Sequence, residues 1–161
     1  MEKAFLKSIH DHQKIISRVC KMYRDRKEDQ KDLFQEIVYQ LWKSYSSFKG
    51  EAKISSWIYR IALNTAMAIY RKSELSVNYF EEFPEKMHPL SERGISENEE
   101  RLFWALRRLG DADKALVSLY LEDFSYQEIA EISGISVSNV GVRLNRIKTK
   151  LKELLNEGYG T

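Results

Sequence analysis

Residues 125–152, SYQEIAEISGISVSNVGVRLNRIKTKLK, decide the fold of this 161-residue chain. Ser125 followed by Glu128 has the spacing of a capping box, which predicts that a short helix begins at Ser125. Gly134 stands where a glycine ends such a helix in a tight turn. A longer helix is predicted from about Ser136 to Leu155. A short capped helix, a glycine turn and a longer helix together form the outline of a helix-turn-helix.

The longer helix has an apolar seam on one side and a polar face on the other. The seam residues are Val137, Val140, Leu144, Ile147, Leu151 and Leu154. The opposite side carries Ser138, Asn139, Val142, Asn145, Arg146 and Thr149. Because five basic residues and no acidic one lie between residues 136 and 152, flanking cations are expected to meet DNA phosphates. These cations are Arg143, Lys148, Lys150 and Lys152.

The chemistry of this polar face gives candidate base contacts. Arg146 suits a guanine edge, Asn145 or Asn139 suits an adenine, and Val142 suits the methyl group of a thymine. A solvated basic helix face or a coiled-coil seam would each produce part of the same pattern. The cap, the turn glycine and the acid-free helix occur together, which favours DNA binding.

The composition predicts that the rest of the chain is helical as well. With 43% apolar and 31% charged residues, the chain is too hydrophobic for disorder and too charged for a membrane span. Only 7 glycines and 2 prolines occur, and Pro84 and Pro89 are close together. We therefore predict an all-α protein of two small helical domains, residues 1–73 and 97–161, joined by a flexible acidic linker at 74–96.

Apolar periodicity predicts the helices of both domains. One helix is expected over residues 5–23 and a second over 32–45, with Glu36 on its solvent side. A third is expected over 55–72, with a buried face of Ile54, Ile58, Ile61, Thr65, Ala68 and Ile69. In the second domain a capped helix opens at Ser96 and is expected to end at Gly110.

Charge is distributed unevenly although the net charge is only +2. Residues 1–75 hold 15 basic against 9 acidic side chains, and residues 76–100 hold 2 against 7. The first domain is therefore basic and the linker acidic.

The third helix also carries a stripe of Trp57, Arg60, Asn64, Met67 and Arg71. Aromatic, amide and cationic groups in line suit single-stranded nucleic acid, because bases stack and cations hold the backbone. Taken alone, the stripe would more often be a core tryptophan with solvated arginines. The neighbouring loop with Lys49 and Lys53 favours the nucleic-acid interpretation.

The sequence lacks the signatures of an enzyme or a metalloprotein. His10, His12 and His88 have no nearby cysteine or paired carboxylate at metal-ligand spacing, and no glycine-rich phosphate loop occurs. The single cysteine, Cys20, lies on an apolar face and favours a reducing compartment. We expect a cytoplasmic protein with no cofactor, no metal and no small-molecule substrate.

Three runs of sequence resemble bacterial RNA polymerase sigma factors of the extracytoplasmic-function (ECF) group, group 4 of the sigma-70 family. The runs are DLFQEIVYQLW (32–42), FKGEAKISSWIYRIALNTAMAIYRK (48–72) and SYQEIAEISGISVSNVGVRLNRIKTKL (125–151). The most specific parts are the DLxQE motif and the spacing from Trp57 to Asn64.

The resemblance implies partners for three surfaces. The clamp coiled coil of the polymerase largest subunit would bind exposed polar residues and their neighbours at Asp32, Leu33, Gln35, Glu36 and Trp42. The loop and the following helix would melt the −10 element and trap an extruded base, with Phe48, Lys49, Lys53, Trp57, Arg60 and Asn64. The −35 duplex would be read by Ser138, Asn139, Val142, Arg143, Asn145, Arg146, Lys148 and Lys150.

The resemblance also implies contacts beyond the DNA. The helices near 99–109 and 115–121 would meet the flap of the second-largest subunit, and the acidic linker would pass through the RNA channel of the polymerase. An anti-sigma factor, which could be membrane-bound, is an expected partner. Gly141 and Val142 depart from the family, where a basic residue and a serine are common. The alternative is a helix-turn-helix regulator that binds duplex DNA without acting as a polymerase subunit.

Overall fold

The computed structural model of the protein describes residues 2–50, 53–71 and 96–157. All regular structure within these ranges is helical, which confirms the predicted fold class. The chain divides into two compact units, one N-terminal and one C-terminal. Apart from Ser96, the predicted linker with Pro84 and Pro89 lies outside the described residues, so the boundaries at 73 and 97 remain predictions.

Within residues 2–50 and 53–71, the N-terminal unit forms four α-helices and one turn of 3₁₀ helix. They are α1 (Glu2–Asp11), α2 (Gln13–Tyr23), α3 (Lys27–Ser44), the 3₁₀ turn (Tyr45–Ser47) and α4 (Ile54–Arg71). The predicted single helix over 5–23 is wrong, because His12 (φ −118°, ψ 18°) leaves the helical region and separates α1 from α2. Its apolar face is nevertheless buried as predicted, at Phe5, Ile9, Ile16, Val19, Cys20 and Tyr23.

Helices α2, α3 and α4 pack against one another, and this changes which residues are buried. Helix α3 buries Leu33, Glu36 and Tyr39 in addition to its expected apolar face. The prediction that Glu36 is exposed is therefore wrong, since α3 has a partner on more than one side. Its carboxylate accepts a hydrogen bond of 2.9 Å from Gln40 Nε2.

The buried side of α4 also differs from the prediction. Its buried residues are Ile58, Tyr59, Ala62, Leu63, Thr65 and Ala66. Ile54 and Ile61 are only half-buried and Ala68 is exposed, whereas the side chain of Ile69 lies outside the described residues. The core contact of α4 is thus turned toward Tyr59 and Leu63, because the helix packs on both α2 and α3.

The C-terminal unit contains α5 (Glu97–Leu106), α6 (Asp111–Leu121), α7 (Tyr126–Ser133) and α8 (Val137–Glu157). Helix α5 is capped by Ser96, whose hydroxyl accepts from the Glu99 amide at 3.2 Å. It ends at Leu106 rather than at Gly110, which instead precedes α6 as its N-cap. The other three helices all pack against α8, and Val140, Leu144 and Ile147 of the predicted seam are buried.

Candidate nucleic-acid interfaces

The helix-turn-helix forms as its local sequence dictates. Ser125 Oγ accepts from the Glu128 amide at 3.1 Å and Glu128 Oε1 accepts from the Ser125 amide at 2.9 Å, which completes a capping box. Gly134 ends α7 at φ 75°, a left-handed conformation that glycine adopts without steric cost. The start of α8 is held by Ser136, whose hydroxyl accepts from the Asn139 amide at 3.2 Å. These contacts fix the turn that positions α8.

The predicted polar face of α8 is solvent-exposed along its length. The exposed side chains are Ser138, Asn139, Val142, Asn145, Arg146 and Thr149, together with Lys150 and Lys152. Val142 is 53% exposed, and its isopropyl group is the main apolar surface within this polar stretch. Amide, guanidinium and apolar groups on one exposed helix face are the chemistry that reads base edges in the major groove.

Two cations of α8 contact side chains of α6. Arg143 Nη2 lies 3.4 Å from Asp113 Oδ1. Lys148 Nζ lies 4.3 Å from the centroid of the Tyr120 ring, and hydrogen bonding with Tyr120 raises the pKa of Lys148. Both side chains were predicted to meet phosphates, and sequence periodicity could not show these partners because they lie on another helix.

Gly141 lies beside α7 rather than on the exposed face. A Cβ atom at this position would stand 3.5 Å from Tyr126 Cε2, which is ordinary van der Waals contact. Tyr126 therefore lies within van der Waals reach of a Cβ atom at position 141, while Val142 faces solvent.

The stripe of α4 is partly exposed and partly engaged by aromatic side chains. Arg60 and Asn64 are exposed, whereas Trp57 and Met67 are half-buried, and the side chain of Arg71 lies outside the described residues. The Trp57 ring packs 4.9 Å from Phe48 and 6.2 Å from Tyr45, measured between centroids. Trp57 thus supports the loop that carries Phe48 and Lys49.

The residues expected to bind polymerase do not form one exposed patch on α3. Asp32 is exposed, Leu33 and Glu36 are buried, and Gln35 is half-buried. Trp42 is half-buried and packs edge-on against Phe5 at 5.0 Å. Asp32 could therefore contact a partner directly, and Gln35 and Trp42 could do so in part. The side chains of Leu33 and Glu36 are buried and contribute to packing within the unit.

The structure also bears on the predicted absence of a metal site and a membrane span. Within residues 2–50, 53–71 and 96–157 there is no group of three or more His, Cys, Asp or Glu side chains that could hold a metal ion. None of the described helices is long and apolar enough to cross a membrane.

Comparisons with known proteins agree with the division of the chain into an N-terminal and a C-terminal unit. The chain matches Sigma-70 region 2 over residues 9–75 and Sigma-70, region 4 over residues 101–151. The RNA polymerase sigma factor YlaC of Bacillus subtilis is 32% identical in an alignment that covers 78% of this chain and 77% of the relative. The ECF RNA polymerase sigma-E factor of Haemophilus influenzae is 28% identical in an alignment that covers 96% of this chain and 90% of the relative.

A solved structure shares the fold. The sigma factor RpoE of Bartonella quintana, co-crystallised with the anti-sigma factor NepR, superposes with a TM-score of 0.74 over 97% of this chain and 99% of that one, at 19% identity. The capped helix α7, the Gly134 turn and the exposed polar face of α8 together have the form of a DNA-binding helix-turn-helix. The chain belongs to the ECF group of sigma-70 family RNA polymerase sigma factors. This membership does not favour the alternative of a regulator that acts without polymerase.

Proposed function

We propose that this sigma factor directs core RNA polymerase to promoters by reading the −35 duplex with α8 and holding melted −10 DNA with α4 and its preceding loop. The observation that carries the −35 assignment is the exposed face of Asn139, Val142, Asn145 and Arg146 on a helix flanked by cations. The exposed Asn64 and Arg60, beside the Phe48–Trp57 pair, support the −10 assignment.

The proposed mechanism is differential binding rather than bond chemistry. Extruding a base costs a few kcal/mol, and stacking with amide contacts would offset that cost only for the melted strand. The protein would thus shift promoter DNA toward the open form without cofactor or catalysis, and it would work in the cytoplasm where core polymerase is found.

Polymerase and an anti-sigma factor complete the set of proposed partners. We place the clamp contact at Asp32 on α3, because an exposed carboxylate suits a basic surface. An anti-sigma partner is supported by the RpoE–NepR complex, in which a chain of this fold is bound by such a factor.

Run-off transcription with purified core polymerase tests the function as a whole. Core plus this chain should give a promoter-dependent transcript that core alone does not give, and start-site mapping would supply the promoter. The absence of any promoter-dependent product would contradict the assignment.

Two substitutions separate the −10 and −35 roles. Asn64→Ala should reduce the permanganate reactivity of melted −10 thymines. Its affinity for core polymerase should stay within about twofold of the wild type, because Asn64 is exposed and does not pack in the hydrophobic interior of the unit. Arg146→Ala should instead weaken initiation that depends on the −35 element. Lys14→Ala, an exposed change on α2, is the control that should alter neither. Unchanged opening in Asn64→Ala would overturn the −10 assignment of that residue.

A further inference from the structure

Helices α6 and α8 form an open groove next to the DNA-reading face. The groove has a volume of about 410 Å³, and we name it the α6–α8 groove. Its polar lining is Asp113, Arg143, Arg146, Thr149, Lys150 and Glu153. Arg146 also belongs to the exposed polar face, so the groove and the base-reading surface are continuous.

Three of the lining side chains are cations on one helix. Arg143, Arg146 and Lys150 follow one another at spacings of three and four residues, which places them on one side of α8. Such an arrangement suits a phosphate group, because guanidinium and ammonium groups bind its oxygens through charge-assisted hydrogen bonds.

The groove already contains two carboxylates that belong to the protein, those of Asp113 and Glu153, and Asp113 is the one paired with Arg143. Asp113 Oδ1 lies 3.4 Å from Arg143 Nη2, and the two side chains are 36% and 34% exposed. Partly exposed pairs of this kind contribute little to stability, because water screens them. A carboxylate held this weakly can be exchanged for another anion when that anion is held in place by further contacts.

We propose that the α6–α8 groove binds a phosphate of the duplex backbone, and that Asp113 is the internal anion which Arg143 exchanges for that phosphate. The inference rests on the proposed docking of α8 on duplex DNA. Asp113 then lowers the affinity for any duplex, whatever its sequence, and leaves relatively more of the binding free energy to the base-reading residues.

The test measures binding of the full chain to a short fluorescent duplex of random sequence between about 50 and 200 mM salt. Asp113→Asn removes the charge but keeps the side-chain shape. We expect the affinity to rise about two- to fivefold, and the slope of log affinity against log salt to steepen by up to about 0.9, because Arg143 then neutralises a phosphate without competition.

Two further variants make the result specific. Asp111→Asn removes the same charge from the same turn of α6 and should leave the salt slope unchanged. Asp113→Asn in an Arg143→Gln background should lose the effect, since the exchange requires the guanidinium. A stability change alone would not alter the salt slope.

Other outcomes would overturn the proposal. An unchanged or lower affinity in Asp113→Asn, or an equal gain in the Arg143→Gln background, would show that Asp113 does not compete with DNA. A chain that binds no random duplex at low salt would also overturn it. Run-off transcription reports on the proposed function separately, because it scores promoter-dependent product rather than affinity for random DNA.

Discussion

Val142 would give the proposed reading face of α8 an apolar contact that a serine would not supply. Its side chain is 53% exposed between polar neighbours, and the apolar group that the major groove offers is the thymine methyl. We therefore predict that replacing one −35 thymine by deoxyuridine weakens holoenzyme binding about fourfold, the expected effect of one buried methyl group.

The Val142→Ser variant is the matched control for this methyl contact. In that variant deoxyuridine and thymine should bind equally, since the partner of the methyl group has been removed. The measurement uses a −35 duplex selected by the holoenzyme from a randomised pool, with each thymine replaced in turn. Equal sensitivity of the wild type and Val142→Ser would show that another residue contacts the methyl group.

Gly141 reduces helix stability without any geometric need for glycine. A Cβ would meet Tyr126 at an ordinary 3.5 Å, so Gly141→Ala should raise the free energy of unfolding by about 0.5 to 1 kcal/mol in a denaturant titration. Gly134→Ala is the contrasting variant, because Gly134 has φ 75°. Its free energy of unfolding should fall by about 1 kcal/mol or more. A loss of stability in Gly141→Ala would mean that Tyr126 cannot accommodate the methyl group.

Cys20 is a core residue with no titratable role near neutral pH. Burial raises the pKa of its thiol to about 12, whereas the unfolded chain has a value near 8.5. Between these values the unfolded state loses a proton that the folded state keeps, so stability should fall as pH rises, by up to about 1.4 kcal/mol per pH unit. Urea unfolding above about pH 9 should show this slope in the wild type and a shallower one in Cys20→Ala. Equal slopes would contradict the buried thiol.

At the scale of the helices, local signals predicted the C-terminal unit best. The capping box at Ser125 and the turn at Gly134 each depend only on residues within about one helical turn in sequence. Both are present as predicted. The sequence could not show that Glu36 is buried or that Asp113 holds Arg143. These contacts depend on packing between helices, which the periodicity of a single helix does not encode.

The capping box of α7 should contribute measurably to stability. Ser125→Ala removes the acceptor for the Glu128 amide, and such a loss typically costs about 1 kcal/mol. Ser125→Asp keeps an acceptor and should be close to the wild type. Thermal unfolding of the three chains provides the measurement, and a loss in Ser125→Asp as large as in Ser125→Ala would contradict a capping role.

At the scale of the whole molecule, the charge is segregated along the chain. The basic N-terminal part and the basic face of α8 each suit DNA, whereas residues 76–100 hold 7 acidic and only 2 basic side chains. Glu81, Glu82 and Glu85 lie outside the described residues, so the passage of this segment through the RNA channel remains a prediction. The two proposed DNA contacts, joined by one chain, would gain from a high effective concentration.

This linkage leads to a prediction about the chain as a whole. A protease site inserted between residues 74 and 95 would allow the two units to be separated after purification. Cleavage should lower promoter-dependent run-off by about a hundredfold or more at limiting protein, because the second DNA contact then becomes bimolecular. The uncleaved insertion variant is the control and should remain active. Undiminished transcription after cleavage would show that polymerase alone brings the two units together, and that the linker contributes no avidity.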